Sequence, residues 1–308
     1  MKIIITGATG FIGKALSNHL VEAGHEVIAL SRSAKKASEI FGQGITVAEW
    51  DGKTAKGWAA QAEGAYAIIN LAGENIGVGR WTREKKQSIL ESRLNAGKAA
   101  VEAVKLAKEK PKVMIQASAI GYYNSHSEEI LDESSPPGKG FLPEVAQSWE
   151  ASTEEVESSG VRHIIIRTGI VLGKGGGAFP RLLLPFRLFV GGPLGSGNQW
   201  FSWIHLQDEV RTIRFLMEKE DLQGVFNLTS PGHLRQKEFS KILGKVMKRP
   251  SWLPVPGLML RLLMGEMADE LLLSGQRVIP KRLLQAEYRF QHPEVESALR
   301  EILSEEGD

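Results

Sequence analysis

Residues 2–24 constrain the fold more than any other stretch. Ile3, Ile4, Ile5 and Thr6 form an apolar run of the length of a buried strand. Glycine then recurs at positions 7, 10 and 13. Leu16, Leu20 and Val21 follow at helical spacing, and Gly24 ends the pattern. A strand that feeds a glycine-rich turn into a helix N-terminus gathers free backbone N–H groups and the positive end of the helix dipole at one point. A diphosphate needs that arrangement. Gly7 suits the tight turn. Gly10, with no Cβ, lets the diphosphate approach the backbone, and Gly13 lets the helix pack close to the strand. A βα turn without a ligand is the plainer alternative, and it leaves three glycines with no other job.

A second strand, Glu26 to Leu30, follows, and the residues after it discriminate between coenzymes. An acidic residue there would bind the adenosine ribose hydroxyls and select NAD. This chain has Ser31-Arg32-Ser33 instead. A guanidinium flanked by two hydroxyls matches a 2′-phosphate, which favours NADP. A solvated surface arginine is the alternative.

The bulk composition narrows the remaining classes. The chain has 308 residues, enough for a dinucleotide-binding domain and a smaller lobe. Lys plus Arg number 38 against 36 for Asp plus Glu, so no global field points to nucleic acid or a membrane surface. Cysteine is absent, which excludes disulfides, thiolate nucleophiles and cysteine metal sites. The histidines show no metal-ligand spacing, and no metal is expected. The first strand begins at Lys2, so no leader is expected, and no long apolar run suggests a membrane span. A cytoplasmic location fits these features.

Strand and helix patterns alternate through the first half. Ile45–Trp50, Ala67–Leu71, Lys112–Ser118 and His163–Thr168 read as further strands. Helical patterns cover about Arg83–Lys108 and Ser148–Ser158. The alternation predicts an α/β fold with a doubly wound parallel sheet, a Rossmann arrangement. From Gly173 to Gly197 glycine and proline become dense, around an apolar helical piece near Arg181–Val190. Helical stretches at Leu206–Lys219 and Gln236–Met247 flank a short strand, Val225–Leu228. The division expected is a dinucleotide-binding domain at 1–170, with 203–230 returning to it. A smaller, mostly helical substrate-side lobe takes 171–202 and 231–308.

Taken together, the motifs resemble the extended, epimerase/dehydratase branch of the short-chain dehydrogenase/reductase superfamily. Within it they resemble an atypical subfamily of "epimerase family" proteins with a small C-terminal domain. The resemblance rests on Thr6-Gly7-Ala8-Thr9-Gly10-Phe11-Ile12-Gly13, Asn70-Leu71-Ala72-Gly73-Glu74, Ser92-Arg93 and Ser118-Ala119-Ile120-Gly121-Tyr122-Tyr123. It extends through Trp149-Glu150-Ala151, Arg167–Gly173, Trp203–Asp208 and Leu273–Val278. It implies that Gly7, Thr9, Gly10, Phe11, Ile12 and Gly13 line the pyrophosphate and that Ser31, Arg32 and Ser33 surround the 2′-phosphate. It further implies that Asp51 caps the adenine, that Leu71, Ala72 and Gly73 line the ribose and diphosphate, and that Ser118 holds a substrate oxygen.

The superfamily's acid/base pair is a tyrosine with a lysine four residues later. A phenol titrates near ~10 in water, and a neighbouring ammonium favours its phenolate. The helix that should carry the pair begins near residue 141 and reads Phe141-Leu142-Pro143-Glu144-Val145-Ala146-Gln147-Ser148-Trp149-Glu150, without either. Tyr122 and Tyr123 are the remaining phenols near Ser118. Adjacent residues point to opposite sides, so one is expected to face the coenzyme. Both also read as packing aromatics. Lys139 is the nearest lysine. Arg167, at the carboxyl end of its strand, is expected to contact the ligand. Arg93 reads either as an anion clamp or as half of a salt bridge. His205 reads as structural, and Asp208 as a helix-start residue. Two functions follow. One is an NADP(H)-dependent oxidoreductase or epimerase acting on a small carbonyl or hydroxyl compound. The other is an NADP(H)-binding sensor or assembly protein without turnover. The long helices leave room for a homodimer.

Overall fold

The computed structural model describes residues 1–123 and 128–304. β1 (Lys2–Thr6), β2 (Glu26–Ser31), β3 (Ile45–Glu49), β4 (Ala67–Asn70) and β5 (Val113–Ala119) join the strands Arg162–Thr168 and Gly224–Leu228 in one seven-stranded sheet. All its pairings are parallel. The order runs Gly224–Leu228, Arg162–Thr168, β5, β4, β1, β2, β3. The chain reverses its direction of winding between β1 and β4. In such sheets, ligands bind in the crevice beyond the strand carboxyl ends at that reversal.

The strands are apolar on both faces because helices cover both. Ile3 and Ile5 pack with Leu16 and Leu20 of α1 (Phe11–Glu22) on one side. Ile4, Ile28 and Ile68 pack with Ala96, Ala100 and Val104 of the long helix Arg83–Leu106 on the other. We number the short helix Ala34–Ile40 α2 and Arg83–Leu106 α3. Later helices include α4 (Phe141–Ala151), α5 (Phe179–Arg187), α6 (Leu206–Glu218), α7 (Gln236–Met247) and α8 (Gly257–Met264).

Two differences from the sequence reading have local causes. The helix expected at 148–158 lies at Phe141–Ala151, and a 3₁₀ turn at Glu154–Ser159 follows it. Ser152 and Thr153 break the helix by turning their hydroxyls back onto the carbonyls of Trp149 and Glu150. The C-terminal tail is also not wholly on the lobe side. Leu283 and Tyr288 are buried in the main core beside Phe226. The helix Val295–Ser304 instead packs with Phe239 and Leu243 of α7. Residues 305–308 of the expected lobe lie outside the described residues.

Candidate functional site

The glycine turn has the shape its spacing predicts. Gly7 adopts φ +68°, and a Cβ on it would sit 2.8 Å from the Leu71 carbonyl carbon. A Cβ on Gly13 would lie 2.2 Å from Gly7 O, so only glycine lets α1 reach the turn. Gly10 is the N-cap of α1 and offers no side-chain cap, which leaves first-turn N–H groups for an external acceptor. Thr9 and Gly10 are exposed at the tip, and Ile12 is half-buried in the first turn of α1. The Phe11 ring is roofed by the loop at 173–177. Added Cβ atoms on Gly173, Gly176 and Gly177 would meet it at 3.1, 2.7 and 3.0 Å. That contact explains part of the glycine density there.

The segment after β4 lies against this turn. Ala72 N–H donates to Thr6 Oγ1 at 3.2 Å, and Thr6 Oγ1 donates to Asn70 Oδ1. The structure thus brings Leu71, Ala72 and Gly73 to the glycine turn. Past β2, Arg32 is exposed and makes no hydrogen bond or ion pair with a described residue. Ser33 is the N-cap of α2 and accepts from Lys36 N, while Ser31 Oγ exchanges hydrogen bonds with the Ser33 backbone. Asp51 spends its carboxylate locally, accepting from Lys53 N, Thr54 N and Thr54 Oγ1 at 2.7–2.8 Å. Those bonds hold its carboxyl below the usual range.

The other candidates converge in one buried network. Arg167 stands beside Ser118 and Asn227 in the parallel register. Its Nε and Nη2 each donate to Glu150 of α4 at 2.8 Å, one to each carboxylate oxygen. Its Nη1 donates to the Tyr123 hydroxyl at 2.9 Å. Tyr123 donates in turn to Asn227 Oδ1 at 2.7 Å, and Ser118 Oγ donates to Glu150 Oε1 at 2.6 Å. Burial opposes the Arg167 charge, but the Glu150 carboxylate outweighs it and raises the pKa. Burial pushes the Tyr123 phenol up to about 12, with Arg167 and Asn227 opposing.

This geometry bears on three of the expected contacts. Arg167 is 3 % exposed and its Nε/Nη2 fork is closed on Glu150, so that fork is not free for a ligand. Tyr123 is 1 % exposed and gives its proton to Asn227, so it does not face the coenzyme crevice as a donor. Ser118 has committed its proton to Glu150 and cannot also donate it to a substrate oxygen. Tyr122 is the phenol left part-exposed. The Arg167 guanidinium lies 3.3 Å from its ring centroid and fixes the ring plane. The loop carrying Lys139 runs alongside, with Gly138 N–H donating to Tyr122 O, but Lys139 itself is exposed.

A second arginine packs against the neighbouring residue of α4, Trp149. Arg93 of α3 donates through Nη1 to Ile89 O and Glu74 O at 2.9 and 3.1 Å, and its Cζ lies 4.7 Å from the Trp149 ring. Glu74 is paired with Lys85 instead. Desolvation pulls Arg93 down to about 10, with Glu74 opposing.

His205 caps α6, and its Nδ1 accepts from Gln207 N–H at 3.2 Å. The Nε2 proton therefore points at Glu301, 2.9 Å away. Desolvation, reinforced by His292, lowers the pKa to about 3 and keeps the ring neutral despite that carboxylate. His205, His292 and Glu301 hold their ligand atoms within 4.8 Å of one another. A cation at Nε2 would need the opposite tautomer and would break the helix cap, so the donor set does not fit a metal. Asp208 accepts from Gln291 and His292 N–H, tying the tail to α6. Trp203 is fully buried, and its indole donates to Gly232 O. Phe201 stacks on Phe239.

Comparison with known proteins agrees with this architecture. The model of the NAD dependent epimerase/dehydratase family matches residues 3–229. This chain belongs to that family. A second model, a domain of unknown function (DUF1731), matches residues 255–302. The epimerase family protein YfhF of Bacillus subtilis is 38 % identical over 308 residues, covering 99 % of each chain. The chloroplastic epimerase family protein SDR39U1 homolog of Arabidopsis thaliana is 40 % identical, covering 98 % of this chain and 87 % of that one. Among solved structures, human epimerase family protein SDR39U1 with NADPH superposes at a TM-score of 0.89, with 34 % identity and 99 % of each chain covered.

Within this epimerase/dehydratase chain, the sequence reading missed Glu150 and Asn227 as network members. A signal existed for the first. Glu150 falls on the apolar face of α4 with Val145, Ala146 and Trp149, and a carboxylate that stays charged there calls for a buried cation. Among the described residues, no helix is long and apolar enough to cross a membrane.

Proposed function

We propose that this family member is an NADP(H)-dependent oxidoreductase or epimerase-like enzyme for a small carbonyl or hydroxyl compound. The observation that carries this reading is the pairing of an uncapped, glycine-built helix N-terminus with an exposed, unpaired arginine past β2. A diphosphate and a 2′-phosphate fit those two places. The human relative, whose crystal structure is one with NADPH, supports the same choice. Bound there, NADPH supplies a hydride.

The chain's own residues do the rest. Gly7, Thr9, Gly10, Phe11, Ile12 and Gly13 take the diphosphate. Arg32, with Ser31 and Ser33, takes the 2′-phosphate. Leu71, Ala72 and Gly73 line the dinucleotide, and the backbone turn that Asp51 stabilises borders the adenine. Tyr122 gives its phenolic proton to the substrate oxygen as the carbonyl carbon accepts hydride, leaving an alcohol. Ser118, Tyr123, Arg167 and Glu150 act as a positioning network behind Tyr122. Turnover of NADPH against a panel of ketones, aldehydes and nucleotide sugars tests this. Tyr122→Phe is expected to cut turnover roughly 10²–10⁴-fold while NADPH affinity is unchanged. Full activity in Tyr122→Phe would remove the assigned donor.

One observation favours a second reading, an NADP(H)-binding protein without turnover. The helix expected to carry the acid/base pair has neither tyrosine nor lysine and instead carries Glu150, committed to Arg167. Tight NADPH binding with no oxidation against any substrate class would favour it.

A further inference from the structure

Arg93 and Arg167 flank consecutive residues of α4, Trp149 and Glu150. Both use Nη1 for internal contacts. Arg167 fills its remaining edge, Nε and Nη2, with a carboxylate. The same edge of Arg93 donates to no described residue, and no described carboxylate forms an ion pair with it. The arginine is also held in place. Its Cζ would lie 3.1 Å from a Cβ on Gly73, so the missing side chain there makes room for it. The Trp149 ring lies beside the guanidinium, and the Trp149 indole N–H is buried with no acceptor. Glu74 N–H is anchored to Ser92 Oγ, which fixes the loop that carries the Glu74 carbonyl.

A half-buried guanidinium whose bidentate edge meets no carboxylate leaves donors that a ligand oxygen can satisfy. Planar Nε/Nη2 donors match two oxygens of one carboxylate or phosphate. The position is also suitable, since Gly73 follows β4 at the carboxyl edge of the sheet, where ligands of this fold lie.

We propose that the open edge of Arg93 grips a carboxylate or phosphate group of the substrate, so that the compound turned over is an anion. This rests on reading the crevice as an NADP(H) site. It also makes Arg93 a specificity residue rather than a coenzyme contact.

The test uses full-length protein with ¹⁵N-labelled indoles, saturated with NADPH and titrated with inorganic phosphate and, separately, malonate. The Trp149 indole resonance is assigned by its disappearance in Trp149→Phe. A saturable shift of that resonance is expected in the NADPH-loaded protein. Arg93→Lys should weaken it about tenfold, because a point charge cannot replace the fork. Arg93→Gln should abolish it, while the other indole resonances and NADPH affinity show that the variant is folded. No saturable shift, a shift that survives Arg93→Gln, or a shift seen only without NADPH would each overturn the proposal. In the last case the edge belongs to the coenzyme. NADPH affinity is measured first by calorimetry. Failure there sinks the coenzyme reading, and the phosphate and malonate titrations of the unloaded protein still decide whether Arg93 holds an anion.

Discussion

Two arginines packed against neighbouring residues of α4 are in opposite states. At Glu150, Arg167 has its bidentate edge closed, with Tyr123, Ser118 and Asn227 joined to the same network. At Trp149, Arg93 keeps its bidentate edge empty. A closed network does its work in the folded state itself by fixing geometry. An open one waits for a partner. The same division runs through the rest of the molecule. His205, locked between Gln207 N–H and Glu301, is closed, and Arg32 past β2 is open. The closed groups should therefore report on stability and the open ones on ligands.

The strongest challenge to this division is Glu150→Leu. It strands the Arg167 charge in the interior and should cost ~3–5 kcal/mol in urea unfolding. A loss below ~1 kcal/mol would mean the network is not closed as described. Next comes Arg32→Ala. Calorimetry should show NADPH affinity falling about 30-fold, roughly 2 kcal/mol, with NADH affinity nearly unchanged. An equal loss for both coenzymes would remove Arg32 as the selector.

His205 gives an effect of intermediate size with a definite sign. Its folded pKa, about 3, lies below the unfolded value of 6.5. As pH falls, the unfolded chain takes up the proton first. The stability contribution is therefore intact above pH 6.5 and is lost between 6.5 and about 3. Thermal unfolding at pH 7 and pH 5 should show a loss on the order of 1–2 kcal/mol that His205→Gln largely removes. The smallest stability effect is expected at Arg93→Gln, ~1 kcal/mol or less, because relief of a desolvated charge offsets two lost hydrogen bonds. A loss matching that of Glu150→Leu would place Arg93 among the structural residues and erase the contrast.

Most of the fold was legible because it repeats local rules. The apolar runs at Ile3–Ile5 and Ile164–Ile166 read as strands buried on both faces. Gly7, Gly10 and Gly13 read as a turn with a helix behind it, since their spacing is a backbone requirement. The end of α4 was not legible, because the hydroxyls of Ser152 and Thr153 compete with the helix only once they find its carbonyls. Nor could the sequence say which of Tyr122 and Tyr123 is sealed. That depends on Asn227, 104 residues further along the chain.

By itself, the sequence determined the winding of the sheet, the diphosphate turn and the cationic residue past the second strand. All three depend on neighbours in the chain, on periodicity and on where a Cβ is missing. Only the tertiary structure decided which charges and phenols are consumed internally and which stay open. Desolvation and hydrogen-bond saturation depend on what the fold brings within about 3 Å of a polar atom, and nothing in the order of residues specifies that distance.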